Sequence, residues 1–91
     1  MPGFWGLDVQ QMQRFENLLT ESAGEIRSIV GELDGLTASV DWKGDDATEF
    51  KTRTWKAVSD QLTGVSTQLL AVAGNVKTQV NQQVQASRAG A

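Results

Sequence analysis

The strongest constraint on this chain is a row of side chains at Met12, Phe15, Leu19, Ser22, Ile26, Ile29, Leu33, Leu36 and Val40, with successive positions alternately three and four residues apart. An α-helix completes two turns in about seven residues, so this row falls on one side of a helix as a heptad seam. Leu18, Ala23 and Val30 widen the stripe beyond that of a two-stranded coiled coil. The same spacing returns in Trp55, Val58, Leu62, Val65, Leu69, Val72 and Val76 and continues by fours through Val80 and Val84. The chain therefore reads as two long amphipathic helices, the first over about 8–40 and the second over about 46–85, in a single domain covering 1–91.

Their ends carry chemical signals. Asp8 stands three residues before Gln11, a capping-box spacing, and Leu7 and Met12 occupy hydrophobic-staple positions. Asp46 and Glu49 repeat the capping-box spacing at the start of the second helix, where acids face the positive end of the helix dipole. The connection at 41–45 is short enough to force the helices into antiparallel contact. The tail over 86–91 is small and weakly patterned, and fraying is expected there.

Composition narrows the chemistry. The 91 residues include no Cys and no His, which removes disulfide scaffolds, thiol nucleophiles, imidazole bases and His-containing zinc sites. Lys plus Arg number 8 against 11 Asp plus Glu, with no basic cluster, so nucleic-acid binding is not expected. The acids near the turn, Asp41, Asp45, Asp46 and Glu49, do not match a calcium loop, because Lys43, Asp46 and Thr52 break its ligand spacing. Helix capping accounts for them more simply. Glu21 and Glu25 share a face, but a bundle di-metal site also needs a Glu-x-x-His pair. Lys56 and Ser59 lie one turn apart beside Arg53 and Asp60, a wet setting that would not depress a lysine pKa. No enzyme activity, metal or cofactor is expected.

The N-terminal stretch lacks the basic and apolar regions of a general secretory signal, and the longest uncharged stretch, 61–76, is too polar to cross a bilayer. With 40% hydrophobic residues and so short a chain, a hairpin leaves apolar rows including Val30, Leu70 and Ala73 uncovered. A second hairpin would cover them. The expected architecture is an all-α antiparallel hairpin that dimerises into a four-helix bundle. Glu21 and Glu25 are balanced by Arg53 and Lys56 within the chain, which favours self-pairing.

Trp42-Lys43-Gly44 between two long amphipathic helices resembles the WXG100 family, the small helical-hairpin, ESAT-6-like proteins of type VII (ESX) secretion systems. The likeness extends through Trp42-x-Gly44-x-x-Ala47-x-x-Phe50 and the tail from Asn75 through Gln82-Gln83 to Ala86-Ser87. It implies a small protein made in the cytoplasm and exported without a cleavable signal peptide, paired as a homodimer or with another WXG100-like chain, and docked to a type VII secretion ATPase. It also implies Trp42 as a docking residue; in an antiparallel dimer Phe4 and Trp5 would join Trp42 of the other copy in an aromatic cluster. Trp42 as a lid on the end of the core is the simpler alternative.

One feature departs from that family. The Tyr-x-x-x-Asp/Glu export signal is absent, since the chain has no Tyr and no acid after Asp60. A partner then carries the signal, or a different signal is used. A membrane-permeabilising effector and a non-secreted adaptor or chaperone for a larger toxin share the fold, although the helices lack the basic polar face that membrane binding favours. Glycines at 24, 31, 35, 64 and 74 interrupt the helices. They make either a smooth strip for another backbone or a plain loss of about 0.8 to 1 kcal/mol each relative to Ala.

Overall fold

The computed structural model describes residues 8–89. Helix α1 runs Val9–Ser39, and Asp8 caps it by accepting from the Gln11 backbone N–H at 3.1 Å. Leu7, the other half of the expected staple, lies outside the described residues, as do Phe4 and Trp5. After the turn come α2 (Asp45–Glu49), a π-helical segment (Phe50–Thr54) and α3 (Trp55–Ala89). The helix continues through 86–89, where fraying was expected, while 90 and 91 lie outside the described residues.

The long helices form an antiparallel hairpin. Arg27 Nε donates to Ser66 Oγ at 3.1 Å, Trp55 Nε1 to Asp34 Oδ1 at 2.6 Å, and Lys51 Nζ to the Val40 carbonyl at 3.4 Å, so later residues of one helix meet earlier residues of the other. The result is a rod with extents of 69 × 17 × 16 Å.

The seam between the helices differs from the expected heptad row. On α1 the covered positions are Val9, Met12, Glu16, Leu19, Ala23, Ile26, Val30 and Thr37. On α3 they are Trp55, Ser59, Leu62, Ser66, Leu69, Ala73, Val76, Val80, Gln83 and Val84. Met12, Leu19, Ile26, Leu62, Leu69 and Val76 are where the spacing put them. The intervening row is displaced by one residue in both helices, so Phe15, Ile29, Leu36, Val58, Val65 and Val72 are exposed, with Leu33 and Val40 also outside.

The physical reason is size. Ala23, Ala73 and Ser66 are fully or almost fully buried, and Ser66 is the largest side chain in full burial. Small residues let two helix backbones approach closely, with close contact all along the seam; Phe15 or Ile29 in their place would hold the helices apart. Ser66 meets the cost of burial by donating to the Thr63 carbonyl at 2.8 Å while accepting from Arg27. Val30 and Ala73, expected to be left open, are inside, whereas Leu70 is exposed as the pattern implied.

The π segment has a local explanation in the same terms. Uninterrupted α-helix would carry the seam back from Trp55 and Ser59 to Thr48 and Thr52. One extra residue in the turn, closed by the Trp55 N–H on the Phe50 carbonyl, brings Ala47 and Lys51 to the inside instead. Ala47 is buried; Thr48 and Thr52 face out, with the Thr52 hydroxyl donating to the Thr48 carbonyl at 2.7 Å.

Candidate functional site

Two regions stand out as surfaces rather than clefts. The first is the turn. Gly44 has φ 111° and ψ 176°, the only positive φ among the described residues, in a region essentially restricted to glycine. It serves as the N-cap of α2 and makes no side-chain cap bond, so Asp45 and Asp46 act through their charge in the first turn and Asp46 with Glu49 forms no capping box. The Gly44 carbonyl accepts from the Thr48 N–H at 3.0 Å.

This backbone carries Trp42 over Phe50, with ring centroids 5.4 Å apart and planes tilted by 47°. The tilted geometry is a favourable aromatic arrangement. Trp42 is nevertheless 43% exposed, so it covers the end of the hairpin with one face and offers the other to solvent. Ala47, buried on the first turn of α2, and half-buried Phe50 follow within six residues of Gly44. The structure thus assembles Trp42, Gly44, Ala47 and Phe50 at one end of the rod.

The second region is the displaced apolar row. Phe15 and Ile29 each lie three residues beyond a seam residue of α1, as do Val58, Val65 and Val72 on α3, and Leu36 lies one heptad beyond Ile29. Equal rotational offsets from the seam of an antiparallel pair point to the same side. The six side chains therefore line one face of the hairpin, extended by Leu18, Leu33 and Val40. The opposite side holds the polar ties between Arg27 and Ser66 and between Trp55 and Asp34.

No family model, curated protein or solved structure matches this chain. Among the described residues no helix is long and apolar enough to cross a membrane. Glu21 and Glu25, expected to be balanced by Arg53 and Lys56, are not brought to them: Lys56 lies toward the turn and bonds Asp60 at 3.3 Å. A shallow depression of about 560 Å³ is lined instead by Glu21, Gly24, Glu25, Ser28 and Ile29. The remaining seam assignments, Leu19, Ile26, Leu62, Leu69 and Val76, serve the hairpin's own core. The spacing missed Ser66, a polar side chain that carries no apolar signal and is buried only because Arg27 and the Thr63 carbonyl satisfy its hydroxyl.

Proposed function

We propose that the chain is a small substrate of a type VII secretion system, or the pairing partner of one, which buries its apolar face against a second helical hairpin and presents the Trp42 turn to the export ATPase. The observation that carries this reading is the division of labour in the hairpin: Ala23, Ser66 and Ala73 share the seam with Leu19, Ile26, Leu62 and Leu69, while Phe15, Ile29, Leu36, Val58, Val65 and Val72 are left on one exposed face. Contiguous exposed apolar surface of this kind marks a protein interaction site. The four-helix bundle follows as the assembly that covers it. The half-exposed Trp42, propped by Phe50, suits a residue read by a partner.

The test is export of Trp42 variants from cells carrying a type VII system, measured in culture supernatant beside the melting temperature of the purified protein. Trp42→Ala should lower stability by about 1 to 2 kcal/mol, less than full burial would cost, and abolish export. Trp42→Phe should be stable and impaired in export. Normal secretion of a folded Trp42→Ala protein would refute the docking role.

A further inference from the structure

The interior of the rod is divided unequally along its length. Apart from Ala47, the buried apolar side chains among the described residues belong to 23–30 and 73–80. Leu19, Ile26, Leu62 and Leu69, half-buried, extend that packing to 19–30 and 62–80. Over 31–61 the inward positions other than Ala47 are Thr37, Lys51 and Ser59 and the aromatic rings of Phe50 and Trp55. The branched aliphatic side chains of this turn section, Leu33, Leu36, Val40 and Val58, stand exposed.

Two cross-helix bonds at the surface hold the section. Trp55 Nε1 donates to Asp34 Oδ1 at 2.6 Å, a short charge-assisted bond, whereas Lys51 Nζ reaches the Val40 carbonyl only at 3.4 Å. Both backbones are also weakened here. Gly31 and Gly35 lower the helix-forming tendency of α1 just past Val30, and the π turn interrupts the α-helical ladder between Phe50 and Trp55. Partial opening of a folded chain begins where buried apolar contacts are few and backbone bonds face water.

We infer that 31–58 opens and recloses as one unit while 19–30 and 62–80 stay paired, with the Trp55–Asp34 bond as its latch. The inference rests on the packing of the hairpin alone, so it stands or falls separately from the export reading. In the open form Trp42 loses its seat against Phe50, and both faces of the indole become available.

Native-state hydrogen exchange of the full chain tests this. Amides of 35–40 and 48–58 should share one opening constant, roughly 10-fold or more above that of 66–80. Trp55→Phe keeps a ring in place and removes the N–H. It should speed exchange throughout 35–40 and 48–58 by about 5-fold and leave 66–80 unchanged. Asp34→Val, matched in helix propensity and lacking an acceptor, should do the same, and the double variant should go little beyond either single one. Exchange that slows residue by residue away from the turn would overturn the single unit. Equal acceleration of 66–80 in Trp55→Phe would overturn its separation from the rest, and additive effects of the two substitutions would overturn the latch.

Discussion

Gly44 holds a backbone conformation that side chains with a Cβ rarely adopt, although open space surrounds it. The cost of substitution therefore comes from the backbone and not from a clash. Gly44→Ala should destabilise the hairpin by about 1 to 3 kcal/mol in chemical denaturation. The interior glycines make the opposite case. A Cβ added at Gly31 meets nothing within 4 Å, and its backbone is already helical. Gly31→Ala should stabilise the chain by about 0.8 to 1 kcal/mol in the same measurement. Loss of stability there would mean that another backbone lies against it.

Between the helices, the decisive choice is which row of α1 and α3 faces inward. Ala23 lies on the row in use, at 0% exposure, and Ile29 on the neighbouring row at 50%. Ala23→Leu should overpack the seam and lower the melting midpoint, by about 1 to 3 kcal/mol in stability. Ile29→Asp should change the melting of the dilute chain by roughly 0.5 kcal/mol or less, the usual range for a surface site. The reverse ranking would restore the heptad row as the seam. Both helices, the Asp8 cap and the turn were legible in the sequence because each has a local signal: periodicity, a carboxylate before an apolar run, a glycine between patterns. The inward row was not, because two adjacent rows are both apolar enough to be buried. Backbone approach through Ala23, Ser66 and Ala73 decides between them, and that is a property of two helices together. The π segment was hidden for the same reason: Thr48 and Thr52 reveal themselves as unwelcome inside only when the seam they would enter is known.

At the scale of the whole molecule, the rod has a radius of gyration of 20.2 Å, against about 12 Å for a compact domain of this length. So elongated a body has little interior. The buried apolar set among the described residues is Ala23, Val30, Ala47, Ala73, Val76 and Val80. Its stability should rise with occupation of the apolar face, since a partner that binds only the folded form adds to it by mass action. If a second copy occupies the face, the melting midpoint of the native chain should rise with its own concentration, and Ile29→Asp should remove that dependence.

The π turn at Phe50–Thr54 also separates two angular settings within one continuous helix. Residues before it are rotated relative to those after it by about 100°, the angle of one residue. The azimuth of the Trp42–Phe50 pair is thereby independent of the azimuth of the apolar face, so the two can be aimed at different bodies. Deleting Thr52 would return the segment to α-helix and swing the aromatic end around the rod axis, leaving both surfaces intact but misaligned. On the function proposed above, such a chain would still recognise a paired hairpin and the export ATPase singly, and fail wherever both must be engaged at once.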